Sequence, residues 1–351
     1  MNARAATVLL ALVLLPALWI WEPSQGSPRT PPATAAPTGR EARFDPRETS
    51  ALPSYVQRVE GALVGLSVKA APDRPSSARL GAQRFGTGIV FDSRGYAVTV
   101  SYVVLDALSI EARLRDGRTV PATLTGMDLD AGLAVVRLQG AGPWKTADLA
   151  GSQDLQVGAV TGTAGLDEDG DLVHATTRLT AVRRFSAFWE YMLDRALMLA
   201  PSMPSWGGSA ALDDRGRVVG VVSLRLGEPP HVSLAIPTEK LLAVKDELIN
   251  AGRVVSRPPR PWLGLYTAAQ EGRVLVDGFN ESGPARSAGF RRGDEIVGVD
   301  GVSVASQEEF YETLWRRQAG ETIEIFVRRA DRVQVIPVRS IDRHRLFRPT
   351  P

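Results

Sequence analysis

Short strand-like runs fill the chain from Val56 to about Leu234, and they constrain its fold more than any other feature. The runs alternate apolar and polar residues or are continuously β-branched, and turn signals such as Asp116-Gly117 and Arg215-Gly216 separate them. Many short strands at regular spacing predict an all-β barrel or sandwich. The clearest runs are ALVGLSV, TGIVFD, AVTVS, IEARL, LAVVRL and VVGVVSL.

A helix over Thr238 to Ala251 is predicted to close this β domain. Pro237 precedes it, its apolar residues share one face, and Gly252 follows it. The next segment, VVSRPPRP, has the composition of a linker. We therefore expect a β domain at residues 54–253, a linker at 254–260, a second domain at 261–345 and a tail at 346–351.

The N-terminal residues predict export from the cytoplasm. An uncharged apolar run over residues 5–21 follows Arg4, which is the pattern of an export signal. Residues 1–22 are expected to be a cleaved signal peptide or an N-terminal membrane anchor. Two tryptophans at the end of the run favour an anchor, whereas small residues just beyond it fit a cleavage site. In both cases the rest of the chain is expected to be extracytoplasmic, in the periplasm or cell envelope, with residues 5–21 as a candidate inner-membrane anchor. Residues 23–53 are rich in Pro and Ala and predict a disordered linker.

Composition argues against several kinds of chemistry. The chain has no cysteine, which excludes disulfides, thiolate nucleophiles and cysteine-based zinc sites. Three widely separated histidines, and an acidic cluster without the ligand spacing of a calcium loop, predict no metal site. With 41 Lys and Arg against 39 Asp and Glu, the formal net charge of +2 provides no field for nucleic acid. We expect no cofactor, no metal ion and no nucleic-acid partner.

The second domain carries the most specific local motif. Trp262-Leu263-Gly264-Leu265 precedes a strand, and the segments SGPARSAGF and RRGDEIVGVDG come before a predicted helix from Ser306 to Gln318. This combination resembles a bacterial PDZ domain. The resemblance implies that backbone N–H groups of the Trp-Leu-Gly-Leu turn bind the carboxylate of a peptide C-terminus, while the peptide adds to the adjoining strand edge. The alternative is a PDZ fold that packs only against its own chain. The predicted peptide-binding residues are Trp262, Leu263, Gly264, Leu265, Phe310 and Leu314.

The order of export segment, β domain, helix, linker and PDZ-like domain resembles the HtrA family of extracytoplasmic serine proteases. The resemblance runs from roughly Tyr55 to Arg343. It implies a mainly β chain, with a trypsin-like double β-barrel followed by a PDZ domain. The segments that carry it are GTGIV at 86–90, DGR at 116–118, LAVV at 133–136, VVGV at 218–221 and LAIP at 234–237.

The resemblance also shows where catalytic residues are missing. A trypsin-like site needs a serine nucleophile, a histidine that takes its proton and an aspartate that orients the histidine. The positions of histidine, aspartate and serine correspond to Tyr102, Gly132 and Gly207. A phenol, with an ordinary pKa of about 10, is a poor general base at neutral pH. No catalytic residues are therefore predicted.

Neighbouring groups offer little replacement for this triad. Ser205 and Ser209 flank Gly207 but lack a base. His231 is the one histidine expected near the cleft, and a lone histidine on a strand is more often a surface or hydrogen-bonded residue than a catalyst.

The predicted function is that of a pseudoprotease, an inactive homologue of a serine endopeptidase. It would act as an extracytoplasmic scaffold or regulator that binds C-terminal or extended peptides of envelope proteins through its PDZ domain. Candidate assemblies are a homotrimer, formed through Tyr55 and the segment before Leu63, and a hetero-oligomer with an active homologue. The alternative is a serine endopeptidase, or a protease-chaperone of envelope protein quality control, with residual or unrecognised activity.

One segment, FSAFWEYMLDRALM from Phe185 to Met198, departs from the family pattern. Its aromatic residues predict either an exposed interface or a folded-in lid that fills the unused specificity pocket together with Trp206. Solvent exposure of Trp189 is the observation that separates the two interpretations.

Overall fold

Two closed β-barrels follow each other in the computed structural model, which describes residues 52–205 and 207–347. The strands of the first barrel are β1 Leu63–Ala70, β2 Gln83–Asp92, β3 Tyr96–Val100, β4 Ala107–Leu114, β5 Thr119–Asp128 and β6 Leu133–Leu138. The strands of the second are β7 Val160–Leu166, β8 Leu172–Ala187, β9 Tyr191–Ala200, β10 Ala210–Leu212, β11 Val218–Leu226 and β12 Val232–Pro237. The barrels close in the orders β1-β2-β3-β6-β5-β4 and β10-β11-β12-β9-β8-β7.

The sequence pattern explains which strands become central. β3 is buried along its whole length and β6 along most of it, and valine and alanine make up more than half of β3 and half of β6. A strand that is covered on both faces needs no polar alternation. β8 instead alternates, because much of it is exposed. It forms a long antiparallel hairpin with β9, paired from Arg178 with Ala200 to Ala187 with Tyr191.

A third sheet forms the C-terminal domain. The strands of this domain are β13 Pro261–Trp262, β14 Leu265–Gln270, β15 Arg273–Phe279, β16 Glu295–Val299, β17 Val302–Ser303, β18 Thr322–Arg329, β19 Arg332–Arg339 and β20 Ile341–Asp342. The sheet has the order β14-β15-β16-β18-β19, with β17 paired to β16, and a separate pair, β13 with β20, joins the two ends of the domain. All of these pairs are antiparallel. The barrels and this sheet belong to one compact unit.

Helices are short throughout the described residues. The α-helices are α1 Ser54–Val59, α2 Pro75–Leu80, α3 Ser101–Val104, α4 Glu239–Leu242, α5 Lys245–Ala251, α6 Ala285–Ala288 and α7 Gln307–Leu314, and 3₁₀ turns occur at Glu60–Ala62 and Arg343–Arg345. The mainly β prediction is confirmed.

The predicted helix over Thr238 to Ala251 is wrong in its continuity, because it is split into α4 and α5. Val244 separates the two with a non-helical backbone (φ −133°, ψ 2°), and its side chain is buried. Leu241, Val244 and Leu248 are all buried in the core of the barrels.

The predicted helix from Ser306 to Gln318 is shorter than expected. It begins as the capping pattern indicates, because the Ser306 hydroxyl accepts a hydrogen bond from the Glu309 N–H at 3.1 Å. Beyond α7 the N–H groups of Arg316 and Arg317 donate to carbonyls three residues earlier, so the chain tightens and the α-helix ends.

Several predictions lie outside the described residues: those for residues 1–22, for nearly all of 23–53, for Trp206 and for the end of the tail. Across residues 52–205 and 207–347, none of the helices has the length and apolar character that crossing a membrane requires.

Candidate functional site

Tyr102 and Gly207, the predicted positions of the base and the nucleophile, lie together between the two barrels. Tyr102 lies on α3, directly after β3 of the first barrel, and Gly207 lies in the turn before β10 of the second. The Tyr102 hydroxyl donates a hydrogen bond to the Ser223 carbonyl on β11 at 2.7 Å. A Cβ atom added to Gly207 would lie 2.9 Å from the same hydroxyl oxygen. The phenol therefore fills the space that a side chain at the nucleophile position would need.

A second tyrosine lies beside Gly132, the predicted position of the aspartate. Gly132 has a φ of +79°, in the left-handed region, and an added Cβ would lie 3.1 Å from the Tyr191 hydroxyl oxygen. That hydroxyl donates to the Ala131 carbonyl at 2.9 Å. Burial raises the pKa of Tyr191 well above its ordinary range, so the phenol stays neutral. Tyr191 was missed by sequence reasoning, which placed it only in an aromatic segment.

The two serines beside Gly207 hydrogen-bond to backbone carbonyls. Ser205 Oγ donates to the Leu166 carbonyl at 2.6 Å, and Ser209 Oγ donates to the Ser205 carbonyl at 3.2 Å. His231 Nδ1 lies 2.6 Å from the Gly227 carbonyl oxygen within its own turn. Among the described residues, no three histidine or acidic side chains are grouped so as to hold a metal ion.

The Trp262-Leu263-Gly264-Leu265 turn of the C-terminal domain, called here the carboxylate loop, holds a carboxylate. The Leu263 and Leu265 N–H groups donate to the side-chain oxygens of Glu190, at 3.0 and 2.8 Å. Gly264 has a φ of +78°, and an added Cβ would lie 2.7 Å from the Gly283 Cα. Glycine is required here because both the backbone angle and the close approach exclude a side chain.

Glu190 belongs to the tip of the β8–β9 hairpin, residues 187–190, which we call the hairpin tip. The tip lies along β14, where the Thr267 N–H donates to the Phe188 carbonyl at 3.0 Å. The Tyr311 hydroxyl on α7 donates to the Ala187 carbonyl at 2.7 Å and accepts from the Glu190 N–H at 3.2 Å. The second barrel therefore contacts the groove between β14 and α7 directly.

The predicted peptide-binding residues lie around this contact and are all buried. Phe310 and Leu314 of α7 share one hydrophobic cluster with Leu263 and Leu265. Met192, two residues after Glu190, is buried in the same cluster. A residue from the second barrel thus completes the core of the C-terminal domain.

The exposed-interface interpretation of the aromatic segment is wrong, because Trp189 is half-buried and stacks on Tyr191 with ring centroids 5.9 Å apart. Phe188 packs edge-on against Tyr266 at 5.6 Å, and the Arg79 guanidinium of α2 lies 4.0 Å from the centre of the Tyr266 ring. The segment is folded in, but it extends into the groove of the C-terminal domain. The prediction that it fills a specificity pocket together with Trp206 depends on a residue outside those described.

Burial has the largest effect on the pKa of Glu190, which is 1% exposed. Burial raises its pKa to about 7, against the opposing effects of the Leu263 and Leu265 N–H groups and the positive charge of Arg343. Arg343 donates to the Glu190 carbonyl at 3.3 Å and forms an ion pair with Asp130 at 2.9 Å. Near neutral pH this carboxyl therefore lies close to its midpoint of protonation.

Comparison with known proteins agrees with this architecture. Residues 86–221 match the trypsin-like peptidase domain and residues 261–339 match the PDZ domain. The chain belongs to the HtrA-type family. The C-terminal sheet is thus its PDZ domain, and the barrels are its trypsin-like domain.

Individual HtrA-type relatives are distant. The Do-like HtrA serine protease of Lactobacillus helveticus is 23% identical over 70% of this chain and 65% of its own length. A Halomonas elongata protein whose name includes "periplasmic serine endoprotease DegP-like" is 30% identical over 70% of this chain and 53% of its length. The chain thus spans less than two thirds of the length of these relatives. The HtrA-type protease AlgW, solved with a tripeptide, has the same fold with a TM-score of 0.52 at 22% identity, covering 85% of this chain and 97% of that one.

Proposed function

We propose that this HtrA-type chain is a pseudoprotease that acts as an extracytoplasmic peptide- or protein-binding scaffold or regulator. The observation that carries the proposal is the Tyr102 hydroxyl, which lies 2.9 Å from where a Cβ of residue 207 would be. A phenol with a pKa near 10 does not act as a base at pH 7, and glycine has no hydroxyl with which to attack.

The environment of Gly132 supports the same proposal. An aspartate at this position would have a strained, left-handed backbone, and its side chain would meet the Tyr191 hydroxyl. Tyr102 and Tyr191 therefore each occupy space beside a predicted triad position.

The peptide-binding part of the proposal is supported by the carboxylate loop. Two of its N–H groups hold a carboxylate in this structure, which is the chemistry that binds a peptide C-terminus. The expected ligands are C-terminal or extended peptides of envelope proteins. The AlgW structure that shares this fold contains a tripeptide.

Location and assembly are also part of the proposal. The apolar run at residues 5–21 and the word "periplasmic" in the name of the Halomonas elongata relative support export to the periplasm or envelope, with that run as signal peptide or anchor. A homotrimer, or a hetero-oligomer with an active homologue, is the proposed assembly. Tyr55 within the proposed contact segment already donates to, or accepts from, the Thr176 hydroxyl of its own chain at 2.7 Å.

The test is labelling with a fluorophosphonate probe together with digestion of unfolded casein, with an active HtrA-type protease as positive control. The expected result is neither labelling nor digestion. Labelling that disappears in Ser205→Ala or Ser209→Ala would overturn the proposal and support the alternative, a serine endopeptidase or protease-chaperone with an unrecognised catalytic constellation.

A further inference from the structure

The hairpin tip has the geometry of a bound peptide C-terminus. In peptide recognition of this kind, a terminal carboxylate accepts hydrogen bonds from a loop, and the residues before it pair with a strand edge. Here the Glu190 side chain supplies the carboxylate, and Phe188, two residues earlier, pairs with Thr267 of β14 at 3.0 Å. An internal segment therefore makes both kinds of contact that an external peptide would need.

Charged and polar contacts hold the hairpin against the other wall of the groove. Arg184 of β8 forms an ion pair with Glu312 of α7 at 2.7 Å. Ser186 donates to Glu308 of the same helix at 2.5 Å. These contacts lie beside the groove rather than in the carboxylate loop, so they position the tip without forming part of the carboxylate site.

The internal contact has features that an external peptide would not share. Glu190 has a φ of +54°, a left-handed conformation that is unfavourable for a residue with a side chain. Its carboxyl is also buried, and burial disfavours the charged form that the N–H groups bind best. A free peptide C-terminus can present its carboxylate to the same N–H groups from an extended backbone, without the left-handed residue. A competing peptide therefore avoids the backbone strain that the hairpin tip carries at Glu190.

The contacts of the tip also indicate the chemistry of the competitor. Phe188 lies against Tyr266, and the Arg79 guanidinium lies 5.7 Å from the centre of the Phe188 ring. An aromatic side chain two residues before the terminus would occupy this place. Met192 lies in the apolar cluster of Leu263 and Phe310, so an apolar terminal side chain fits there.

We propose that the hairpin tip is an internal ligand that keeps the PDZ groove closed, and that a peptide ending in an apolar residue with a free carboxylate and an aromatic residue two positions earlier opens it by displacing Glu190. The proposal rests on the proposed peptide-binding function and adds the regulation and ligand class of that site. Opening would also release the adjoining Tyr191, which fills the space beside Gly132.

The test is fluorescence anisotropy of the full-length chain with a fluorescein-labelled decapeptide ending in Phe-Trp-Val and a free carboxylate. Glu190→Ala is expected to bind this peptide at least tenfold more tightly than the unmodified chain. The matched control is Asp194→Ala, which removes an exposed carboxylate from the same hairpin, 67% exposed, and is expected to bind like the unmodified chain. The same peptide ending in an amide is expected to bind neither the unmodified chain nor Glu190→Ala.

A second measurement covers the case in which Glu190→Ala is poorly folded. Hydrogen exchange of the unmodified chain is expected to rise across residues 186–192 when saturating peptide is added, and to stay unchanged with the amide. Equal affinity of the unmodified chain and a folded Glu190→Ala, or protection of residues 186–192 unchanged by bound peptide, would overturn the internal-ligand proposal and leave peptide binding standing. Absence of binding by every variant, including Glu190→Ala, would overturn peptide binding itself. Unchanged binding by a folded Gly264→Val would show that the peptide binds outside the carboxylate loop and would overturn the proposal.

Discussion

Glu190 and Tyr191 are consecutive in the chain and occupy two different sites. The Glu190 carboxylate accepts hydrogen bonds from Leu263 and Leu265 in the PDZ domain, whereas the Tyr191 hydroxyl lies 3.1 Å from where a Cβ of Gly132 would be. One hairpin end thus contacts both the carboxylate loop and Gly132, the predicted position of the aspartate. A movement that frees one of these residues also disturbs the other, because a single peptide bond joins them.

Peptide binding is expected to depend on pH through Glu190. In the carboxylate loop the Glu190 carboxyl has a pKa of about 7, against an ordinary value of 4.5. Docking of the hairpin tip into the loop therefore takes up a proton at pH values between 4.5 and 7. The docked hairpin is therefore most stable at low pH, loses stability as the pH rises toward 7 and changes little above that. The groups that face Glu190 are Arg343, which stays charged, and Tyr311, whose pKa burial raises well above its ordinary range.

The measurement is the affinity of the labelled Phe-Trp-Val peptide between pH 5 and pH 8. Affinity is expected to rise by at least about tenfold between pH 5 and pH 7.5 and then level off, because the internal competitor weakens over this range. Glu190→Gln keeps an oxygen acceptor without a titrating proton and is expected to remove most of the change. An equal rise in Glu190→Gln would show that another group is responsible.

The turn that carries Gly207 is expected to be intolerant of substitution at Gly208. Gly208 has a φ of +87°, and an added Cβ would overlap the Thr87 carbonyl oxygen. Gly117 also has a φ of +87°, but nothing lies within 4 Å of its added Cβ, which makes it a matched control. Gly117→Ala should cost about 1–2 kcal/mol in free energy of unfolding, for the backbone conformation alone. Gly208→Ala should cost about 2 kcal/mol more, because of the overlap. Equal midpoints in urea denaturation would contradict the steric argument.

Local patterns were sufficient to predict the mainly β fold and the turn from Trp262 to Leu265, whereas the three triad positions were assigned through the family resemblance and stay predictions. Alternation and turn signals reflect the neighbours of each residue, and Gly264 is explained by the turn that contains it. The helix break at Val244 was missed because Leu241, Val244 and Leu248 have the spacing of one face of an unbroken helix, so the apolar pattern gives no sign of the break.

The occupied groove was missed for a related reason. The contact between Glu190 and Leu263 joins residues 73 apart in sequence, and neither position indicates the other. The available signal was an acidic residue directly after two aromatic residues, Phe188 and Trp189, in a segment that departs from the family pattern. That segment was expected either to be exposed or to fill the trypsin-like pocket, because its position in sequence relates it to the second barrel and not to the PDZ domain.

Tyr102 and Gly207 are expected to be energetically coupled. Gly207→Ser brings its Cβ within 2.9 Å of the Tyr102 hydroxyl, so it should destabilise the chain by about 1–3 kcal/mol. In a Tyr102→Phe background the oxygen is gone, and the same substitution should cost at least about 1 kcal/mol less. The measurement is a double-mutant cycle of unfolding free energies in urea, which cancels the separate cost of the lost Tyr102–Ser223 hydrogen bond. A coupling of zero would mean that the phenol moves aside freely.

Restoring the aspartate alone is expected to harm the fold rather than repair the site. Gly132→Asp places a side chain on a left-handed backbone with φ +79° and against the Tyr191 hydroxyl. Gly301 has the same φ of +79° and open space around its added Cβ, so Gly301→Asp isolates the cost of the backbone conformation. We expect Gly132→Asp to lower the free energy of unfolding by about 1–2 kcal/mol more than Gly301→Asp, because of the contact with Tyr191. Tyr191→Phe should recover part of this difference, since it removes the oxygen that the new side chain meets. If Gly132→Asp is no less stable than Gly301→Asp in urea denaturation, Tyr191 does not restrict this position.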